Sequence, residues 1–266
     1  DGALWYEGTK VGRDADRVLI KSTGEPTYRL PDMAYHTTKF DRGYDICVDI
    51  FGADHMDAYP DILSVLEQLG YSSNKVKVLI HQFISILQDG KPVKMSTREA
   101  NFITLNELIE DVGADVVRYF FIMRNINSHL NFDLKIAKEK SENNPVYYIQ
   151  YCHARISNLL NKSDLNKLDL NKINLNLLNQ ESELKLIQKL VDFNELILKL
   201  IESHEPQLLA NYLHELASMF HKYYAHNRIL NDNKELSNSR LVLSSAVQII
   251  IKNGLNILGI SQPDRM

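Results

Sequence analysis

An α/β layer followed by an all-α helical bundle is the fold this sequence predicts, and three observations predict it. Strand-like and helix-like segments alternate up to about residue 103, as they do in a doubly wound parallel layer. The strand signal then stops, and apolar residues recur at three- and four-residue steps to the end of the chain, as in amphipathic helices. The third is size and composition. At 266 residues and 44% hydrophobic the chain can bury about two cores at ~150 residues each.

Arg17–Lys21 reads as a strand, and Ser22-Thr23-Gly24-Glu25-Pro26 as the turn after it. Thr27–Leu30 reads as a short second strand. Pro31 and Asp32 open a helix running to about Phe40 and closed by Gly43, because proline is tolerated in a first helical turn. Tyr44–Phe51 is rich in strand formers and ends at Gly52-Ala53-Asp54-His55. Residues 56–69 carry Ile62, Val65, Leu66 and Leu69 at helical spacing, with Gly70 as the stop. Val76–Leu87 is nearly continuous apolar sequence and reads as one buried central strand. Asp89-Gly90 supplies a tight turn.

From Thr104 onward, helices are expected at 104–112, 114–125, 133–141 and 143–161. Three long ones follow, near 181–202, 206–230 and 236–254, the last ending at Asn253-Gly254. Between them lies a stretch rich in Asn, Lys and Leu, residues 158–180. Its leucines are too apolar for a free linker, so it reads as a loop with a short packed segment. The boundary between the two halves falls near 125–142 and is placed at 130/131.

Cys47 and Cys152 are the only cysteines and sit inside apolar or amphipathic patterns. No disulfide framework or zinc cluster is implied, which suits a reducing cytosol. No uninterrupted apolar run reaches the ~18 residues of a membrane span. With a net charge of −4, nucleic-acid binding would have to come from a local face. The start at Asp1, in mid-pattern, suggests a fragment.

Four groups of residues could carry chemistry. Lys91, Lys94, Ser96, Thr97 and Arg98 place three cations and two hydroxyls within eight residues. Such a loop suits a triphosphate, although for these residues taken alone a solvated surface loop is the stronger reading. Gly52-Ala53-Asp54-His55 stands where a strand ends and a helix begins, where open α/β sheets bind ligands. A carboxylate there can accept hydrogen bonds from a ribose, although turn chemistry also explains the motif. Tyr28 and Asp32, four residues apart, could clamp a flat cation. From the residues alone, helix capping by Asp32 and packing of Tyr28 is the stronger reading. In the bundle, Tyr147, Tyr148, Tyr151, His153 and Arg155 share one helix, and Tyr223, Tyr224, His226, Asn227 and Arg228 share another. Aromatics interleaved with cations suit unstacked bases, while for any single tyrosine core packing is the better choice.

Several segments together resemble bacterial-type arginyl-tRNA synthetase, a class I aminoacyl-tRNA synthetase. They are Asp1–Trp5, Tyr28–His36, Gly52–His55, Val93–Arg98, Ala100–Phe102, Ser128–Asp133, Asn144–Tyr151, His153–Arg155 and Leu258–Met266. The likeness runs the whole length in the same order. It implies that residues 1–130 are the C-terminal part of a class I nucleotide-binding, Rossmann-like catalytic domain, and residues 131–266 a helical anticodon-binding domain.

The resemblance also implies the chemistry. Arginine and ATP, with magnesium, would give arginyl-adenylate, and the arginyl group would pass to the 3′ end of its tRNA. Lys94, Ser96 and Arg98 would serve the phosphates. Gly52, Asp54, His55, Lys94 and Met95 would hold ATP, and Tyr28 and Asp32 would hold the arginine side chain, reversing the reading from residues alone. Tyr151, Tyr224, Asn227 and Met266 would meet the anticodon. No structural metal and no membrane are implied, and a monomeric cytoplasmic protein is expected. Thr97 stands where the family commonly carries a second Lys. The family's His-x-Gly-His is missing, so this roughly C-terminal half is not expected to aminoacylate by itself. A non-catalytic anticodon-binding module is the alternative. Cysteinyl-tRNA synthetase, a further candidate, needs zinc ligands that this chain does not show.

Overall fold

The computed structural model describes residues 2–93, 103–163 and 170–266. The chain packs as two compact units, Asp1–Phe83 with Ile126–His129, and Ile84–Asn125 with Leu130–Met266.

In the first unit β1 (Leu4–Tyr6) pairs antiparallel with β2 (Arg17–Ile20). Helix α1 (Arg29–Asp41) follows, then β3 (Cys47–Gly52), α2 (Tyr59–Gln68) and β4 (Val76–His81). β3 and β4 are parallel, with Cys47 opposite Val76 and Gly52 opposite His81. This is the strand–helix–strand unit expected from the alternation, and Met33, Cys47, Ile62, Leu66 and Val76 form its core. Gly43 (φ +79°) and Gly70 (φ +86°) end the two helices, as expected.

The short strand expected at Thr27–Leu30 is not formed. Pairing with β2 ends at Thr27, whose amide donates to the Leu19 carbonyl at 2.8 Å. Tyr28 is already in the right-handed helical region (φ −57°, ψ −22°) and α1 begins at Arg29. Pro31 therefore sits inside the first turn, where its missing N–H leaves no helical bond unmade.

The apolar run 76–87 is not one strand. It breaks at Gln82, whose amide donates to Ile126 O at 2.9 Å, and Phe83 is exposed. β5 (Ile84–Gln88) then belongs to the second unit, flanked by β6 (Lys91–Pro92) and by β7 (Leu130–Asp133). β7 is parallel to β5, a strand in the half where only helices were expected. It has just four residues, with Leu130 and Phe132 turned inward and buried. At the β5–β6 turn Asp89 (φ +52°) and Gly90 (φ +75°) are both left-handed, the geometry that Asp-Gly favours in a two-residue hairpin.

The second unit continues with α3 (Leu105–Val112), α4 (Ala114–Ile122) and α5 (Leu134–Lys138). The bundle helices are α6 (Pro145–Asn161), α7 (Glu181–Ser203), α8 (Gln207–His226) and α9 (Lys234–Leu258). Thr104 and Glu107 form a reciprocal capping box at the start of α3. One core joins Ile86 and Phe132 of the small sheet to Ile149, Leu213, Phe220 and Ile251 of the bundle. Within 158–180, the described part includes Leu178, which is buried, and Asn174, whose carbonyl accepts from Ser239 Oγ at 2.8 Å. That is the packed segment its leucines suggested.

α9 continues past Asn253-Gly254 and stops at Gly259, which is left-handed (φ +67°). Gly254 is there for contact: a Cβ would lie 2.5 Å from Leu213 Cδ2 on α8. By length and composition α9 could cross a membrane, with a mean hydropathy of 1.5. Its apolar residues Val247, Ile251 and Leu255 are wholly buried in the bundle, as in the core helix of a globular domain.

Candidate functional site

In the first unit, Gly52 ends β3 and the chain turns through Ala53–His55 before α2. This places Gly52 at the carboxyl edge of the parallel pair, opposite His81, where open α/β sheets take their ligands. Asp54 folds back over Gly52 so closely that a Cβ on Gly52 would lie 2.5 Å from Asp54 Oδ1. Asp54 and His55 are exposed and 3.8 Å apart, and the His55 ring stacks on Phe51 with centroids 5.7 Å apart. The turn thus offers a carboxylate, an imidazole and an open backbone edge to one side, a set able to accept from and donate to hydroxyl groups.

Tyr28 and Asp32 stand one turn apart at the start of α1, and the Asp32 amide donates to the Tyr28 carbonyl at 3.4 Å. The Tyr28 ring is 65% exposed and its side chain does not cap the helix. Packing, the stronger reading from residues alone, does not hold it. The Asp32 carboxylate lies 3.4 Å from His36 Nδ1 and keeps about a third of its surface open.

Beneath Asp32 is a buried charge relay. His36 Nδ1 donates to the Asp32 carbonyl and Nε2 to Asp49 Oδ2, each at 2.8 Å. Lys39 Nζ donates to Asp49 Oδ1 at 2.5 Å. Burial opposes charge on His36, but the bonds to Asp49 and Asp32 outweigh it and raise its pKa above the ordinary value. Burial likewise opposes the Asp49 carboxylate, and the donors His36 and Lys39 bring its pKa below the usual range. Lys94, Met95, Ser96 and Arg98, the loop residues, lie outside the described residues. Among the described residues no group of three or more His, Cys, Asp or Glu side chains could hold a metal ion.

In the second unit α6 and α8 build an aromatic cluster around one cation. The Arg155 guanidinium lies 4.6 Å from the Tyr151 ring centroid and 5.0 Å from that of Tyr224. Tyr147 stacks on Tyr151 with an interplanar angle of 9°, and His221 stacks on the same ring. Tyr151 and Tyr224 are 36% and 37% exposed. Tyr223 and His153 are buried instead, so the two helices divide their aromatics between surface and core. A cavity of about 410 Å³ is lined by Lys140, Tyr147, Tyr148, Tyr151, Arg155 and His221.

Asn227 caps α8 by donating from Nδ2 to Tyr223 O at 3.0 Å, and it lines a cavity of about 470 Å³ with Tyr224 and Arg228. A buried ion pair supports this end of α8. Arg240 Nε donates to Glu183 Oε1 at 2.8 Å, and its Nη1 to Arg228 O at 2.9 Å. Met266 is exposed at the end of a tail that α6 holds by three side chains. Gln150 donates to Ser261 O (3.0 Å), His153 donates to Pro263 O (3.1 Å) and Ser157 donates to Asp264 Oδ1 (2.8 Å).

Residues 149–266 match the DALR anticodon binding domain. An arginine–tRNA ligase of Salinibacter ruber is 48% identical over 267 residues, covering 100% of this chain and 48% of that protein. One of Chlorobaculum tepidum is 48% identical over 270 residues, covering 100% of this chain and 49% of that protein. The whole chain is similar to part of the arginine–tRNA ligases. It spans about half the length of the curated relatives it matches. A solved structure from Campylobacter jejuni assigned as an arginyl-tRNA synthetase superposes with a TM-score of 0.87 at 32% identity, covering 100% of this chain and 58% of that one. The Thermus thermophilus arginyl-tRNA synthetase shares the fold, with a TM-score of 0.78 at 21% identity, covering 100% and 54%.

The described residues thus place an exposed carboxylate and imidazole after β3, an exposed tyrosine and a part-exposed carboxylate at the start of α1, and a Tyr–Arg–Tyr cluster on α6 and α8. Sequence reasoning did not single out His221, Arg29 or Asp61. The contacts that give them meaning span 66, 32 and 48 residues, which no local pattern displays.

Proposed function

We propose that this chain is part of an arginine–tRNA ligase and supplies the nucleotide-edge turn, the arginine clamp and the anticodon-binding domain. In this reading residues 1–130 belong to the catalytic domain and 131–266 to the anticodon domain. The observation that carries it is that identity to arginine–tRNA ligases extends over the whole chain rather than over the helical domain alone. A non-catalytic anticodon-binding module has no need of a ribose turn or a clamp, so the ligase is the reading we adopt.

The reaction asks little of acid–base chemistry. The carboxylate of arginine attacks the α-phosphorus of ATP and pyrophosphate leaves. A hydroxyl of the terminal tRNA ribose then attacks the arginyl carbonyl and AMP leaves. Positioning and electrostatic stabilisation carry both steps. Asp54 accepts from the ribose of ATP, with Gly52 giving the close backbone approach and His55 beside it. Tyr28 and Asp32 take the guanidinium, Asp32 by charge-assisted hydrogen bonds. Lys94, with Met95, Ser96 and Arg98, covers the phosphates and neutralises the departing pyrophosphate. Tyr151, Tyr224, Asn227 and Met266 meet bases of the anticodon loop. Magnesium would accompany the nucleotide. The whole protein is read as a cytoplasmic monomer.

ATP–pyrophosphate exchange by the full-length protein that carries this chain tests the reading. Exchange that depends on arginine and not on lysine or citrulline supports it. Exchange indifferent to arginine overturns it.

A further inference from the structure

Asp61, in the first turn of α2, is wholly buried and gathers three guanidinium groups. Arg13 Nε donates to Oδ1 at 2.9 Å, Arg17 Nε to Oδ2 at 3.0 Å and Arg29 Nη1 to Oδ2 at 2.7 Å. A buried carboxylate without partners is costly, and one with several donors is fixed in place. The three arginines reach it from different elements. Arg13 comes from the loop before β2, Arg17 from β2, and Arg29 is the first residue of α1.

Arg29 alone belongs to the helix that carries Tyr28 and Asp32. Its guanidinium lies 5.4 Å from the centroid of the Tyr28 ring, and among the described residues it is the cation on that ring. Tyr28 has no capping bond, and its ring is largely in solvent. An exposed tyrosine held by nothing else would sample several rotamers, at an entropic cost on binding. A guanidinium clamped by a buried carboxylate is, by contrast, a rigid plane against which the phenol can rest.

We infer that Arg29, anchored by Asp61, is a positioning residue that holds Tyr28 in the geometry of the arginine clamp. The inference rests on the clamp reading of Tyr28 and Asp32. It adds that the carboxylate ordering the clamp sits on α2, the helix entered directly from the Gly52–His55 turn, so one buried charge ties the clamp helix to the helix behind the nucleotide edge.

The test compares four variants of the full-length ligase by ATP–pyrophosphate exchange and by thermal unfolding. Arg29→Met is expected to raise KM for arginine about tenfold and leave KM for ATP within about twofold. Arg29→Lys, which keeps the charge and reaches Asp61 without the planar stacking surface, is expected to fall between. Arg13→Met removes a partner of the same carboxylate without touching α1. It is expected to lower the melting temperature at least as far while leaving KM for arginine unchanged. Tyr28→Ala is expected to raise KM for arginine at least as much as Arg29→Met.

Equal KM shifts in Arg13→Met and Arg29→Met would reduce Arg29 to a structural group and overturn the inference. A shift in Tyr28→Ala with none in Arg29→Met would overturn it and leave the clamp standing. A shift in Arg29→Met with none in Tyr28→Ala would also overturn it, because Arg29 would not act through the ring. No shift in either would remove the clamp as well.

Discussion

Arg155 donates from Nη1 to Nδ1 of His221 across 3.0 Å. A guanidinium has no acceptor, so this bond requires His221 to be unprotonated at Nδ1. Its Nε2–H then donates to the Tyr148 carbonyl, 3.2 Å away, and the imidazole is neutral. Burial and the Arg155 charge accordingly bring its pKa below the ordinary value, with the Tyr148 carbonyl opposing them. His36 is the opposite case: the Asp32 carbonyl at Nδ1 and Asp49 Oδ2 at Nε2 favour the charged ring and outweigh its burial and Lys39 Nζ, 3.1 Å from Nε2.

The two histidines give opposite pH dependences. For His221 the unfolded chain takes up a proton first, so its stabilisation is full above about 6.5 and declines as pH falls from there. For His36 the folded state binds the proton more tightly, so its stabilisation is full below about 6.5 and is lost as pH rises through the raised value. Hydrogen exchange, corrected for intrinsic rates, reads this. From pH 6 to pH 8, protection of α1 and β3 amides is expected to fall and that of α8 amides to rise. His221→Gln should flatten the second trend and leave the first.

Tyr151→Ala is expected to weaken tRNA binding by about 1–3 kcal/mol, the usual worth of a base–aromatic stack. The bandshift titration should be run at several salt concentrations, because phosphate contacts are salt-dependent and a stacking loss is not. A parallel downward displacement of the salt plot supports stacking. A change of slope would assign Tyr151 to the backbone of the RNA.

Gly52→Ala places a methyl 2.5 Å from the present position of Asp54 Oδ1. Asp54 is exposed and can move aside, so the melting temperature should change little. The displaced carboxylate should raise KM for ATP about tenfold, with KM for arginine unchanged. Steady-state exchange kinetics separate the two.

Gly254→Ala meets a different neighbour. Its Cβ would crowd Leu213 Cδ2, Cδ1 and Cγ at 2.5, 2.8 and 3.0 Å, and Leu213 is completely buried. Overpacking of a filled core costs about 1–3 kcal/mol, which outweighs the helix propensity gained from alanine. Urea unfolding should show a lower midpoint with an unchanged slope.

The helices were legible in the sequence because their apolar spacing is local. The stops at Gly43 and Gly70 and the start at Thr104 were readable from single residues. Gly254 misled because a glycine inside a helix looks like a stop until its neighbour Leu213, 41 positions away, is known. The strand break at Gln82 was hidden because a continuous apolar run carries no sign of which sheet each half joins. β7 was too short to declare a period. In the proposed site, Gly52 and Asp54 stand out in the sequence by their place at a strand end, and Tyr28 and Asp32 only through the family resemblance, whereas Arg29, Asp61 and His221 depend on partners distant in the chain.

In the proposed function Asp32 takes the charge of the arginine side chain. The most direct measurement is ATP–pyrophosphate exchange by the full-length ligase with Asp32→Asn, titrating arginine and ATP separately. Losing one charge-assisted, partly exposed contact should raise KM for arginine on the order of tenfold or more, with KM for ATP held. A rise confined to ATP, or no rise at all, would contradict the account.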